Sequence, residues 1–242
     1  GGGGGNCLSA FGSEGSDLSL ASAASKEDTS ILLSDASSIN VGDYVRFIQD
    51  DALLVNDSWA ERRTGQVSQV ADKSGNNITL ASPLRMDFPL SNNPRVKRMT
   101  PDENIGVECL TINRIDQVTV SGDRNKASKI KLNRVVNSWV KGVESSNCNY
   151  SHFEALYSAN LLVSGCYFHD AFEYGTGGRA YGSMLHYATS ESRVENTVFD
   201  NLRHAMIVQV GANGNVFAYN SSTNARDKNG SQDEDMVCHG NY

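Results

Sequence analysis

No run of apolar residues in the 242-residue chain approaches the ~18 needed to cross a bilayer. No basic segment followed by an apolar core of about 7–15 residues opens it either, so neither a membrane insertion nor a secretory leader is read from these residues. Basic runs are missing too: 21 Lys and Arg stand against 28 Asp and Glu, for a formal net charge of -7. Nucleic-acid backbones are bound through clustered Lys and Arg, so that partner class is excluded. Neutral sugars stay open, as do anionic polymers met through local Arg or bridging Ca²⁺. Among the five cysteines, Cys7, Cys109, Cys148, Cys166 and Cys238, no CxxC pair occurs, which removes a zinc or thioredoxin-type site. Widely and irregularly spaced in a chain of this size, they are expected to pack as small apolar residues rather than to form a disulfide framework.

What is present is short, alternating and repeated. Residues 1–28 are rich in Gly and Ser and hold too few large apolar side chains to order alone, which predicts a linker or an extended arm lying on the next unit. No function is read into the glycines 1–5. Residues 29–103 run through "SILLSDA", "GDYVRFIQD", "GQVSQVAD" and "NNITLASPL", each bounded by Gly, Asn, Asp, Ser or Pro, the pattern of a small antiparallel β subdomain. From residue 104 the chain echoes itself. "VTVSG" at 118–122 returns as "LLVSG" at 161–165, a shift of 43 that divides into two turns of 21–22; Val163 to Val194 is 31, and Val194 to Val216 is 22. Removing the Gly- and aromatic-rich stretch Asp170–Gly182 restores the period, which marks that stretch as an inserted loop.

A period near 22 with short strands, polar corners and no helical pattern predicts an all-β fold. Residues 104–242 would form a right-handed parallel β-helix of about 22 residues per coil, preceded by the small antiparallel subdomain. Ile112, Val120, Val163, Cys166, Phe168, Val194, Phe199, Ile207 and Val216 are expected to face inward. Asn160, Asn196, Asn213, Asn215 and Asn220 are expected to bond backbone groups at corners. The repeat is still running at "MVCHGNY", so the helix is expected to continue beyond residue 242 and the intact protein to exceed the mass of this chain.

The segments "NIGVECLTI", "VKGVESSNCNYSHFEALYSANLLVSGCYFHDAFEYGTGGRAYG" and "VENTVFDNLRHAMIVQVGANGNVFAYN" resemble the pectate-lyase-like β-helix superfamily, in a branch of secreted bacterial proteins. "INVGDYVRF…ITLASPL" resembles the β subdomain that leads into such helices, so the likeness covers about residues 29–242. The resemblance implies an extracellular or cell-surface protein acting on a polysaccharide or surface glycan, as a polysaccharide lyase or a glycoside hydrolase. The alternative it implies is a non-catalytic adhesive or filament-forming module that self-associates through the β-helix ends. The RxPxxR segment and clustered calcium aspartates of pectate lyases are missing. "LRHA" at 202–205 is similar to the "LRHG" of alginate and chondroitin lyases, but Arg203 falls about one strand before the family's position, which Val208 and Gln209 occupy. His186 or Tyr187 stands where those lyases carry Lys.

Chemistry is expected on an outer sheet face beside the insertion, because a strand ladder displays side chains about 4.8 Å apart and a polysaccharide can lie across them. By coil count His169 falls beside Asp200, Ala155 beside His186 and Val208, and Leu156 beside Tyr187 and Gln209. The candidate catalytic residues are His186, Tyr187, Arg203 and His204; the candidate substrate-binding residues are Glu173, Tyr174, Arg179, Tyr181 and Gln209. An Arg beside a His or Tyr suits β-elimination, with the Arg neutralising a uronate carboxylate while its neighbour takes the C5 proton. Asp170 with Glu173 or Asp200 would suit glycoside hydrolysis. No resident metal is read from the sequence; Ca²⁺ is conceivable only at the acidic stretch 233–236, through hard oxygen ligands.

Overall fold

The computed structural model describes residues 5–115, 127–174, 178–227, 229–232 and 236–239. Segments in which apolar residues alternate with polar ones, such as Asn77–Leu80 and Ile130–Asn133, become strands. Three parallel sheets result. The first stacks Leu8–Phe11, Ile130–Asn133, Ser151–Leu156, Tyr181–His186, His204–Gln209 and Met236–His239. A second sheet stacks Thr111–Asn113, Glu144–Cys148, Tyr167–Ala171, Val198–Asp200 and Ser221–Thr223. The third stacks Asp102–Glu103 and Gly106–Glu108, Val135–Lys141, Ala159–Ser164, Arg193–Glu195 and Val216–Ala218. From residue 135 onward the chain visits the third, second and first sheets in turn and then rises one level, which is a parallel β-helix. Among the described residues no helix is long and apolar enough to cross a membrane.

The coil is 23 residues rather than about 22. Val140, Val163, Val194 and Phe217 stand opposite one another, at steps of 23, 31 and 23. Val216 therefore pairs with Arg193 and is 49% exposed, while Phe217 packs against the core. Matching valine to valine misled the sequence reading, since a β-branched residue is as acceptable on the outward side of a strand as on the inward one. Ile207 is a second correction: it packs with Tyr150, Tyr181 and Met184, apart from the main core. Ile112, Val163, Cys166, Phe168, Val194 and Phe199 do enter that core, where the Phe168 and Phe199 rings meet edge to face at 5.9 Å. "VTVSG", with Val120, lies outside the described residues.

Corners are held by asparagine. Asn215 accepts from the Ser192 amide at 3.0 Å and donates to the Thr189 carbonyl at 2.8 Å; Asn220 does the same for Thr197 and Val194 at 3.0 and 2.9 Å. Asn160 and Asn196 take left-handed backbone with φ of 54° and 49°, a conformation their short amide side chains tolerate. Of the cysteines, Cys148 and Cys166 are buried as expected, but Cys7 and Cys109 are exposed, and all four are free. Cys109 sits at a left-handed corner (φ 52°) between strands of the third and second sheets.

The antiparallel unit orders its strands Ser13–Ser19, Arg95–Thr100, Tyr44–Ile48, Gln66–Ser74, Asn77–Leu80 and Ser30–Leu32. Leu8–Phe11 adds to the first helical sheet beside Ile130–Asn133, and Ser13–Ser19 then joins the antiparallel sheet, so one segment stitches the two units together. Tyr44, Val67 and Met99 pack on Val136 and Ala159 of the third helical sheet. Glu14 draws in Arg46 at 2.8 Å and Arg134 at 3.1 Å, and both guanidinium groups lie over the Tyr157 ring.

Asp170–Gly182 is not the only lengthened connection. Gln209 stands opposite His186 below it and His239 above it, at steps of 23 and 30. The surplus of the second step lies between Thr223 and Met236. These two connections leave the same corner, between the second and first sheets, as does the one from Asn113 to Ile130, where the step falls from 33 to 23.

Candidate functional site

Most of the candidate residues lie on the outer side of the first sheet. Leu156, His186 and Gln209 share one row, and Glu154, Met184 and Ile207 another, while Ala155, Leu185 and Val208 turn to the core. The coil count was thus one residue out: His186, not Tyr187, joins Gln209. Tyr187 follows the strand in left-handed backbone (φ 50°), its ring 4.1 Å from that of His186 and 5.6 Å from that of Tyr157.

His186 Nε2 lies 3.0 Å from Glu154 Oε1, and both side chains are 2% exposed. Lys131 Nζ reaches the same carboxylate at 3.1 Å and Ser128 Oγ donates to it at 2.5 Å. Burial works to raise the Glu154 carboxyl, but the hydrogen bond and charge of His186, the Lys131 charge and the Ser128 bond outweigh it and hold the group below the usual carboxylate range. Burial also pushes His186 below the usual histidine value, more than the Glu154 carboxylate lifts it. The imidazole is then neutral near pH 7, and its partners assign the proton to Nε2, facing Glu154. Nδ1 is left as an acceptor, approached at 3.4 Å by Gln209 Nε2.

Sequence reasoning missed Glu154 and Lys131. The signal was a carboxylate inside the strand "SHFEAL", which calls for a partner on an adjoining strand; Lys131 stands directly opposite it, and His186 two residues beyond its opposite number Met184.

The remaining candidates spread along the same face. His204 stands opposite Tyr181 with rings 5.6 Å apart, and Arg203 Nη1 donates to the Tyr181 hydroxyl at 3.4 Å. Tyr181 meets Tyr150 at 5.6 Å. Met184 links this group to the His186 row, touched by the Tyr150 hydroxyl and by Gln209 Nε2, each at 3.6 Å from Sδ. Arg179 pairs with Glu173 on the loop. Tyr174 does something else: its hydroxyl accepts from the Ala171 amide at 3.0 Å and donates to the Asn201 carbonyl at 2.8 Å, and Arg226 covers its ring at 4.0 Å. It ties the loop to the corner and is only 9% exposed. Gly175 and Gly177 lie outside the described residues.

His169 and Asp200 are opposite one another, as the count predicted, but on the second sheet. Asp200 accepts from Thr223 at 2.8 Å and Asn224 at 2.7 Å, which together hold its carboxyl down; Asp170 accepts from Asn201 at 2.6 Å. These are corner fastenings. Among the described residues no group of three or more His, Cys, Asp or Glu could hold a metal, and 233–235 of the acidic stretch lie outside them.

Two phage tailspikes share this fold. The Gp54 tailspike of Acinetobacter baumannii bacteriophage AP22, solved in complex with A. baumannii capsular saccharide, aligns over 89% of this chain and 47% of its own, with a TM-score of 0.50 and 15% identity. The Pseudomonas phage phi297 tailspike gp61 aligns over 96% of this chain and 45% of its own, with a TM-score of 0.59 and 11% identity. The chain thus spans just under half the length of each. A search of curated proteins finds no match to the sequence. Residues 101–232, more than half of the chain, match the family model described as the right handed beta helix region, and the protein belongs to that right-handed β-helix family.

Proposed function

We propose that the protein is an extracellular, glycan-recognising β-helix whose first sheet binds a polysaccharide across its outer face, with Glu154 and His186 as the reactive pair. The observation that carries this reading is the pair itself. A buried carboxylate beside a buried imidazole costs desolvation that a well-packed apolar pair would not, so fold stability alone gives no reason for it. Beside it Tyr150, Tyr181 and His204 are packed and buried, and the half-buried Arg203 offers the cation that binding an acidic sugar uses.

The chemistry is proton abstraction. Once Gln209 yields its place at Nδ1, His186 takes the C5 proton there while sharing its Nε2 proton with Glu154, which stabilises the imidazolium; the C5–H electron pair forms the C4–C5 double bond, the C4–O bond breaks, and the leaving oxygen takes a proton from water. Glycoside hydrolysis needs one carboxyl held protonated. Glu154, the carboxyl beside His186, is held below the ordinary range instead. That supports β-elimination over hydrolysis. The capsular saccharide bound by the AP22 tailspike supports a polysaccharide ligand. The test is incubation of the full-length protein with uronate-containing and neutral polysaccharides, following ultraviolet absorbance of unsaturated uronate, reducing ends and binding. Glu154→Gln is expected to keep binding and lower kcat by about 10²–10⁴-fold. Binding without product would reduce the protein to an adhesive module, and no binding to any polymer would remove the reading altogether.

A further inference from the structure

A loop of the antiparallel unit, residues 51–64, reaches the same face from the side opposite the insertion. Its base is fixed. Asp51, 1% exposed, accepts from the Arg62 and Thr64 amides at 2.5 and 3.2 Å and from the Thr64 hydroxyl. Ala60 is fully buried, and Gly65 (φ 142°) passes so close to Phe47 that a Cβ would lie 2.0 Å from the Phe47 carbonyl oxygen. A Cβ on Gly211 of the β-helix corner would lie 2.7 Å from Thr64 Cα, and Asn213 donates to the Gly65 carbonyl at 2.6 Å.

Two side chains on this rigid base have no evident structural need. Trp59 is 45% exposed, with its ring 6.4 Å from Tyr187, which in turn lies against His186. Arg63 lies over the Tyr187 ring at 4.7 Å, and its charge acts on His186, disfavouring the imidazolium. Among the described residues Arg63 has no carboxylate within ion-pair distance, whereas neighbouring Arg62 pairs with Asp50 at 3.5 Å. A guanidinium stacked on a ring beside a proton-accepting histidine, without a counter-ion, is a place for a substrate's carboxylate.

We propose that Trp59 and Arg63 form a sugar subsite on the antiparallel unit that selects a carboxylate-bearing residue, with the pyranose ring stacked on Trp59 and its carboxylate on Arg63. This rests on the reading of the first sheet as the glycan face, and gives the antiparallel unit a share in specificity.

The test is a binding titration of the full chain with polygalacturonate, its carboxyl-reduced neutral form and dextran sulfate. It compares the parent with Trp59→Ala, Trp59→Phe, Arg63→Ala and Arg63→Lys, and melting temperatures verify folding. In a Trp139→Phe background, fluorescence reports Trp59 directly. Trp59→Ala is expected to weaken polygalacturonate binding at least tenfold, with Trp59→Phe restoring most of it. Arg63→Ala is expected to erase the preference for the carboxylated over the reduced polymer, and Arg63→Lys to regain part of it. Carboxylate binding that survives both alanine variants, or a parent that prefers dextran sulfate to polygalacturonate, would overturn the subsite while leaving the glycan face standing. A parent that binds no polymer would instead overturn the glycan face.

Discussion

Lowering the pH from 7 toward 3 is expected to strip several kcal/mol from the fold, chiefly through His152. Its ring is fully buried, Nδ1 2.8 Å from Ser145 Oγ and Nε2 3.1 Å from the Asp170 carbonyl, stacked on Phe168 with centroids 5.5 Å apart. Burial first, then the Lys129 charge, bring its pKa from 6.5 down to about 3. The folded value is depressed, so the stabilisation is complete above pH 6.5 and is lost as the pH falls through that window toward 3. A gap of this size corresponds to about 4–5 kcal/mol. His186, also depressed by burial, has the same sign. Glu14, where bonds and charges from Arg46 and Arg134 overcome burial and set the carboxyl at about 2, adds a further loss between pH 4.5 and 2. Urea denaturation at pH 7, 5.5 and 4 should show the midpoint falling steeply, and His152→Gln, which cannot take up the proton, should flatten the fall. An equally steep fall in the variant would shift the cause elsewhere.

Gly182→Ala is expected to cost about 3 kcal/mol or more, at the upper end of what overpacking does. A Cβ there would lie 2.2 Å from the Ala205 carbonyl oxygen and 2.5 Å from a Phe199 ring carbon. Neither neighbour can retreat: one is backbone of the adjoining strand, the other a ring closed in by Phe168. Gly165 supplies the contrast. It has φ 63° and nothing within 4 Å of an added Cβ, so Gly165→Asn, a residue at ease in left-handed backbone, should be nearly neutral. Thermal melts of both variants measure the difference; equal losses would mean that backbone conformation rather than close approach governs these corners.

The β-helix was legible because stacking writes itself into the chain as a repeat: Val163 and Val194 are paired at the 31-residue step that the echo predicted. The one-residue errors at Val216 and Tyr187 share a cause. Side chains alternate with period two, so counting over a corner with one residue more or fewer reverses every facing beyond it, and nothing in the residue types of "HYAT" or "NVFA" reports the corner's length. Glu154 was invisible for a different reason. Its significance lies in His186 and Lys131, 32 and 23 residues away along the chain, which only the stacking of coils brings within 3.1 Å. Arg63 and Trp59 lay further still from any repeat, on a loop that meets the helix only through tertiary packing.

The lengthened connections after Ala171 and Thr223 leave one corner, and Arg226 of the upper touches Tyr174 of the lower. Strands before and after keep their pairing in spite of them, with Phe168 still opposite Phe199 and Met206 still opposite Met236. That corner works as a splice point. Segments of different length and composition can be exchanged there without disturbing the ladder, so what the corner displays is free to vary while the stack of coils is inherited unchanged.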